Sequence, residues 1–286
     1  MFSFSRLPLL ASVAVVLMAI ATFALGSEPA WAECTGEDGG AGTVAEINDG
    51  ETLILDDGRA VRLVGVLSPK RARGGPVSDA RTEMEKAVHD LTLGKKIALQ
   101  LGERKRDRYG RLLAQVRLAD EAGTWVQGKL VSEGLARVIS SPDNRLCIAE
   151  LLALEDEARK AQAGLWRTGF FAIRHADAED LLFRLVEGYE IVEGQVNNVT
   201  EIRGRTYINF GQNWRRDFTA FVPAESSRLF GGAGANRDAP AIALTDLGGR
   251  RIRVRGWMKN FNGPSITVTH PEQIEILDRN QAAQSH

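Results

Sequence analysis

The sequence lacks the residues and motifs that mark several common classes of enzyme. Its four histidines stand apart and show no spacing typical of metal ligands: His89, His175, His270 and His286. It contains no P-loop, zincin or G-x-S-x-G motif. Neither sign of charge is in excess, since 36 Lys and Arg residues face 37 Asp and Glu residues, for a net charge of -1. Any contact with nucleic acid must therefore be local.

Cysteine is scarce as well, with only Cys34 and Cys147 in 286 residues. In an oxidising compartment an even pair favours a disulfide, which would tie the N-terminus to the helix that starts near Cys147. Two free thiols are the alternative.

The N-terminus has the pattern of an export signal. One positive charge, Arg6, precedes a long apolar run that ends in an A-x-A site at residues 30–32. This predicts cleavage after Ala32 and a periplasmic or secreted protein without stable membrane insertion. A retained membrane anchor is the alternative, because about 20 apolar residues can span a bilayer.

The length favours two modest domains over one large one. The predicted division is listed here: a signal peptide at 1–32, an N-terminal linker at 33–42, a first domain at 43–169, a connector at 170–187, a second domain at 188–279 and a tail at 280–286.

The first domain reads as a small β-barrel with inserted helices. Three short strands form a meander at 44–47, 53–55 and 61–66, with D-G turns between them. A helix follows at about 78–93, then two strands at 97–103 and 111–119, and then two helices that end at Gly134 and Gly164. Five strands with helices between and after them predict a barrel of the OB type.

Five spaced pieces of this domain carry a family resemblance: INDGET, VRLVGV-x-SP, RDRYGRLLAQV, LVSEGLARV and ARKAQAGLW. In this order and separation they resemble the staphylococcal nuclease (thermonuclease) family over residues 43–167. The resemblance implies a phosphodiesterase in which a calcium ion and two arginines hold the phosphodiester while a glutamate activates the attacking water.

The resemblance can be carried over position by position. The family's first metal-binding aspartate falls on Glu51, and the two arginines of its phosphate clamp fall on Arg62 and Arg111. The family's D-T-P-E segment is degenerate here, with its second metal ligand, its threonine and its general base falling on Leu67, Ser68 and Lys70. Leucine offers no ligand oxygen and lysine is protonated near neutral pH, so the calcium ligands are incomplete, with Glu51 alone retained.

Two further interpretations of this site remain open. Lys70, Arg71 and Arg73 would add positive charge and help hold a phosphate without hydrolysing it, or would only solvate a loop. Nearby acids could also replace the missing ones, and the candidates are Asp49, Asp79, Glu83 and Asp107.

The second domain resembles another barrel by its pattern of strands. Five segments alternate in hydrophobicity: YEIVEGQVNNVTEI, GRTYINFG, DFTAFVP, RRIRVRGWM and PSITVTHPEQIEIL. The fold class expected for the whole chain is therefore mainly β with α, a nuclease-like OB barrel with helices followed by a five-stranded OB-like barrel.

Alternation also predicts a basic face on this second barrel. It groups Arg251, Arg253, Arg255 and Trp257 on one side of a strand, and Arg205 and Tyr207 on one side of another. Cations interleaved with aromatics are how OB folds bind single strands. The alternative is a solvated face whose tryptophan packs on the first domain.

Three hypotheses of function follow. The leading one is an exported protein that binds nucleic acid or another polyanion through a retained arginine pair. The second is an active secreted nuclease that uses Glu51 and a relocated acid. The third is an envelope scaffold that binds no nucleic acid.

Overall fold

The computed structural model describes residues 34–69, 79–231 and 242–277. The regular elements of the first part of the chain are listed here: β1 Glu37–Asp49, β2 Thr52–Leu55, β3 Ala60–Leu63, β4 Val66–Leu67, α1 Asp79–Thr92, β5 Lys96–Arg106, β6 Leu112–Leu118, α2 Val126–Ser132, β7 Arg137–Val138 and α3 Ile148–Lys160. Those of the second part are β8 Ile173–His175, α4 Glu179–Arg184, β9 Tyr189–Gln195, β10 Asn198–Ile202, β11 Arg205–Asn209, β12 Thr219–Val222, β13 Arg251–Asn260, β14 Pro264–Thr267 and β15 Ile274–Ile276.

The first five long strands close into a barrel in the order β1-β2-β3-β6-β5. All neighbours are antiparallel except β3 and β6, which run parallel. Alternate residues such as Val44, Leu53, Val61, Leu99 and Val116 point inward and are buried. The predicted barrel is confirmed.

Helices α2 and α3 are each followed by a glycine at which the chain changes direction. Gly134 follows α2 and Gly164 follows α3, both with positive φ (69° and 48°). A Cβ on Gly134 would lie 2.2 Å from the carbonyl oxygen of Ala163, so only glycine fits this close approach.

The N-terminal segment belongs to the barrel and is not a linker. Strand β1 begins at Glu37, inside the predicted linker at 33–42, and its first residues pair with β5. The sequence there is rich in glycine and does not alternate, so it gave no strand signal.

Cys34 and Cys147 form the expected disulfide, with their Cα atoms 5.4 Å apart. It fastens the start of this strand to the start of α3.

The second barrel is built from an eight-stranded sheet in the order β10-β11-β12-β14-β13-β9-β8, with β15 added on β13. Only residues 196–197 separate β9 from β10. The strands of this sheet share one apolar core, to which Val192, Ile208 and Ile266 belong. The five predicted segments all form strands, but the first divides into β9 and β10 and the last into β14 and β15. The connector supplies β8 and α4. The parallel pair of β12 with β14 corresponds to that of β3 with β6 in the first barrel. The added strand β8 also runs parallel to β9.

The two barrels pack directly against each other. The Tyr189 hydroxyl donates to the Val138 carbonyl at 3.0 Å, and Arg145 pairs with Glu272 at 2.6 Å. A small apolar cluster that includes Trp166, Phe171 and Ile191 spans the junction. These contacts fix the position of β9 and β13 relative to β7. Among the residues described, no helix combines the length and apolar character that crossing a membrane would require.

Candidate functional site

Glu51 lies in the turn between β1 and β2, and its carboxylate is already engaged. One oxygen accepts the Ser68 backbone N–H, and the other pairs with the Arg62 guanidinium on β3. The side chain is buried, with 6% of the residue exposed. The Asp49 carboxylate accepts the Glu51 N–H at 2.8 Å and sets the turn. The Glu51 carboxylate therefore neutralises Arg62.

Arg111, which precedes β6, is held in the same way by an acid of its own loop. Its guanidinium donates to Asp107 at 2.7 Å and to the Thr52 hydroxyl at 3.1 Å. Burial opposes the charge of Asp107, but hydrogen bonds from Arg111 and from two backbone N–H groups lower the pKa of Asp107. Thr52 is the cross-strand partner of Arg62, so the structure brings the two arginines together around Thr52.

Leu67, the residue at the predicted second metal position, has no ligand atom in its side chain. It lies in β4, which pairs with β7, and it is 3% exposed. Ser68 uses its backbone N–H on Glu51. Lys70, with Arg71 and Arg73, lies outside the described residues. Across 34–69, 79–231 and 242–277, no three potential ligand side chains come together for a metal ion. The residues present do not fit the family's calcium ion.

A cavity of about 460 Å³ lies beside Glu51, and an arginine supplies its positive charge. Its walls include Asp49, Ser68 and, from α1, Arg81 and Glu85. Arg81 donates to Glu85 at 2.6 Å. This bond and the Glu85 charge raise the pKa of Arg81, with smaller contributions from Asp49 and Glu51. The cavity thus combines carboxylates with a protein cation in place of a metal.

Sequence reasoning did not single out Arg81 and Glu85. They are spaced i, i+4 on α1, next to the buried positions Met84 and Val88, and this periodicity was the available signal. Of the acids proposed as substitutes, only Asp49 lines the cavity. Asp79 begins α1 and Asp107 holds Arg111.

The predicted basic face on β13 needs correction. Arg255 is 1% exposed and pairs with Glu155 of the first barrel at 2.7 Å and with Glu275. Arg253 pairs with Glu193 at 2.6 Å, and Arg251 with the same carboxylate at 2.5 Å. Strand alternation correctly predicted that these arginines lie on one side of β13. Carboxylates from neighbouring elements pair with them there, so this side is not an exposed basic face.

The remaining aromatic of this face, Trp257, turns towards the junction of the barrels. Its ring meets Tyr189 edge-on at 5.6 Å, and it lines a cleft with Leu67 and Ser68 of the first barrel. This favours the alternative interpretation, in which the tryptophan packs towards the first domain.

Strand β11 presents a different surface. Arg205 is exposed, and Tyr207 lies on the same side of the strand. Tyr207 lines a groove of about 540 Å³ with the exposed aromatics Trp214 and Phe261. Arg215 stacks on Trp214, with its guanidinium carbon 4.5 Å from the ring centroid. Cations and aromatics are therefore interleaved on this outer face and not on β13.

Comparisons with known proteins identify a family model and several relatives of this chain. A family model described as staphylococcal nuclease homologue matches residues 60–168. A thermonuclease of Staphylococcus intermedius is 30% identical over 162 residues, which are 55% of this chain and 94% of the relative. A thermonuclease of Staphylococcus hyicus is 30% identical over 127 residues (43% and 73%). Protein ParB of Escherichia coli is 31% identical over 175 residues (57% and 85%). The resemblance inferred from the sequence is confirmed.

Proposed function

The chain belongs to the staphylococcal nuclease family, and from this we propose that it binds single-stranded nucleic acid without the family's metal-dependent hydrolysis. The observation that carries the proposal is the Glu51 carboxylate, whose two oxygens are taken by Arg62 and the Ser68 N–H. A carboxylate engaged in this way is poorly placed to bind a metal ion.

The other family positions support the loss of hydrolysis. Leu67 is apolar and buried, and the general-base position holds Lys70 in the sequence. Loss of a general base alone typically costs a factor of about 10² to 10⁴ in rate, and loss of the metal removes further stabilisation of the transition state.

Retention of binding is supported by the two arginines and by the second barrel. Arg62 and Arg111 meet around Thr52, each partly exposed and able to approach a phosphate. The relatives are named thermonucleases, which makes nucleic acid the polyanion we propose. On the outer face, Tyr207 and Trp214 offer rings for base stacking, and the Arg215 guanidinium lies over the Trp214 ring.

Active hydrolysis is the second candidate function. It is favoured by the cavity beside Glu51, where Asp49 and Glu85 are the acids that could assist a reaction. Both are already bonded in the structure, Asp49 to the turn and Glu85 to Arg81.

One substitution separates these functions, because the two predict opposite effects. In a binder, Glu51→Gln removes the charge that neutralises Arg62, so single-stranded DNA should bind about threefold to tenfold more tightly at low salt. In a nuclease, the same change should abolish cleavage. We expect no calcium-stimulated cleavage of DNA or RNA by the wild type, measured with end-labelled strands.

Matched variants locate the bound strand. Arg62→Ala with Arg111→Ala should weaken binding and make its salt dependence shallower, whereas Arg104→Ala should leave binding unchanged. Arg104 is an apt control because it is a half-exposed arginine of the same barrel, also paired with a carboxylate, Asp143. Robust calcium-dependent cleavage by the wild type, abolished by Glu51→Gln, would establish the enzyme; failure to bind any strand would favour the scaffold.

Export remains part of this proposal. Residues 1–32, which carry the predicted signal, lie outside the described residues. Cleavage after Ala32 predicts a mature chain that starts at Glu33. Intact mass of the protein recovered from the cell envelope checks this, and a chain that retains Met1 would contradict cleavage.

A further inference from the structure

A cleft of about 370 Å³ lies between the two barrels, next to the degenerate catalytic segment. The first barrel contributes Leu67, Ser68 and Arg137, and the second contributes residues around Tyr189 and Trp257. Ser68 also lines the cavity beside Glu51, so the two spaces adjoin.

Arg137 extends into this cleft without a carboxylate to pair with. Among the described residues it makes no ion pair, and its Nε atom is shielded from solvent without a hydrogen-bond acceptor. Its guanidinium instead lies against two rings, 5.1 Å from the centroid of Phe171 and 5.4 Å from that of Tyr189. Burial lowers the pKa of Arg137, although the Glu190 charge opposes this. Arg137 is partly buried, so leaving its Nε without an acceptor is costly, and an anionic ligand would relieve that cost.

The charge around the cleft also favours an anion. Three arginines line it, Arg137, Arg174 and Arg184, against two acids, Glu187 and Glu190. Arg174 donates a hydrogen bond to the Glu190 carboxylate at 3.2 Å, so Glu190 pairs with Arg174 and not with Arg137. The planar guanidinium of arginine suits the oxygens of a phosphate, which it can bind through two hydrogen bonds.

Aromatic side chains in the cleft favour an anion that carries a flat ring. Phe170 and Trp257 line the cleft, and each is 38% exposed, unusual for such large apolar side chains. A flat ring could stack on either face. The cleft therefore offers a phosphate site and an aromatic platform side by side.

We propose that the inter-barrel cleft binds a nucleotide, with the phosphate on Arg137 and the base against Phe170 or Trp257. This deepens the proposed function, since it rests on nucleic acid as the polyanion and gives one nucleotide unit of the strand a position beside the Glu51 cavity. The two claims can fail separately, because a mononucleotide tests the cleft and a strand tests the arginine pair.

Calorimetric titration of the full chain with dTMP, inorganic phosphate and thymidine tests the ligand class. We expect dTMP to bind more tightly than inorganic phosphate, and thymidine, which lacks the phosphate, to bind most weakly. Phe170→Ala and Trp257→Ala should be made separately. At least one of them should lower the affinity for dTMP towards the affinity for inorganic phosphate. Neither should change the affinity for inorganic phosphate.

Arg137→Met is the decisive variant. It should weaken dTMP binding by about tenfold or more, because charge-assisted hydrogen bonds are lost. Its Tm without ligand should equal or exceed that of the wild type, since a partly buried charge that makes no ion pair among the described residues has been replaced by an apolar side chain of similar length. A purely structural role for Arg137 predicts the opposite, a lower Tm. Arg104→Met, an exposed arginine outside the cleft, is the control and should bind dTMP like the wild type.

The comparison with the clamp completes the test. dTMP binding that persists in the Arg62→Ala, Arg111→Ala variant and is lost in Arg137→Met supports the cleft. The reverse pattern assigns the nucleotide to the first barrel and overturns the proposal. So would a failure of dTMP to bind the wild type at all, or a lower Tm of Arg137→Met with unchanged dTMP affinity.

Discussion

Arg255→Ala is expected to destabilise the protein by about 3–5 kcal/mol, because it breaks a buried ionic network between the barrels. Arg255 on β13 bonds to Glu155 of α3 at 2.7 Å, to Glu275 of β15 and to the Val138 carbonyl at 3.4 Å. Glu155 is fully buried and also accepts the Val138 N–H at 2.7 Å. Removing the arginine leaves the buried Glu155 carboxylate with only the more distant Arg159 guanidinium, at 3.9 Å. A buried charge that loses its main partner costs more than the pair contributes.

The electrostatics of the network support a destabilising effect. Burial opposes ionisation of Glu275, but the charge and the hydrogen bond of Arg255 prevail and lower the pKa of Glu275. The Glu155 and Glu275 charges likewise overcome burial and raise the pKa of Arg255. Arg255 and Glu275 therefore each favour the charged form of the other.

Arg251→Ala provides a matched control on the same strand. Arg251 also pairs with a carboxylate, Glu193, but its side chain is 56% exposed, so its replacement should cost less than about 1 kcal/mol. Chemical denaturation followed by tryptophan fluorescence measures both variants. In a double-mutant cycle, Glu155→Gln and Arg255→Ala should be strongly non-additive. Equal costs for Arg255→Ala and Arg251→Ala would contradict a network that fastens the barrels.

This network also marks the limit of what one strand's pattern can predict. Alternation along β13 correctly placed the arginines on one side of the strand, because the period of a strand is two residues. It could not predict the acids opposite them, since Glu193, Glu275 and Glu155 come from β9, β15 and α3. The face that a single strand presents as basic is neutral in the assembled fold.

The barrels themselves were predictable for a local reason. Short alternating runs separated by D-G turns and by helix-ending glycines specify strands and connections within a few residues of each other. Glycine-rich β1 residues 37–42 and the β8 strand in the connector lack this alternation, and they form strands only because β5 and β9 offer partner edges.

In the candidate site, too, some features could be predicted from the sequence and others depend on the fold. Family spacing located Glu51, Arg62 and Arg111, which the fold does bring together. It gave no indication that Glu51 bonds to Arg62, because that contact depends on where the longer carboxylate reaches across the strands. Arg137 lies within the family piece LVSEGLARV, but the resemblance gave it no role. Its position in a cleft between the two domains, with Nε lacking an acceptor, is visible only in the fold.

The second large expected effect is a loss of stability as the pH falls, and it depends on His270 at the same junction between the barrels. His270 precedes a short helical turn at residues 271–273 and is 1% exposed. Its ring nitrogens lie 2.6 Å from the Ser140 hydroxyl of the first barrel and 2.9 Å from the Thr269 hydroxyl. Burial lowers the pKa of His270 to about 4; the Arg145 charge adds to this, and Asp143 opposes it.

The sign of the effect follows from the two pKa values. The unfolded chain binds a proton on this histidine near the ordinary value of 6.5, and the folded protein only near 4. Between these values the unfolded state holds more protons, so the free energy of unfolding falls as pH falls. The contribution is fully present above pH 6.5, and about 3 kcal/mol is lost by the time pH drops below 4.

Between pH 6.5 and 5, the wild type should therefore lose about 1.5 kcal/mol through His270. Carboxylates of lowered pKa, such as Glu275 and Glu193, lose their contribution only at lower pH, below their ordinary value of 4.5. This upper window consequently isolates the histidine from the ionic network. Denaturant titrations at half-unit steps of pH would measure the slope.

His270→Gln should flatten that slope, because glutamine can bond to Ser140 without binding a proton in this range. Its cost at pH 7 should be smaller than the difference it removes at pH 5, so the two stability curves should approach each other as the solution is acidified. His89→Gln, at a half-exposed position on α1, should leave the wild-type slope unchanged. Parallel curves for the wild type and His270→Gln would mean that the junction between the barrels is not the acid-sensitive element, because the buried imidazole would then titrate alike in the folded and unfolded chains.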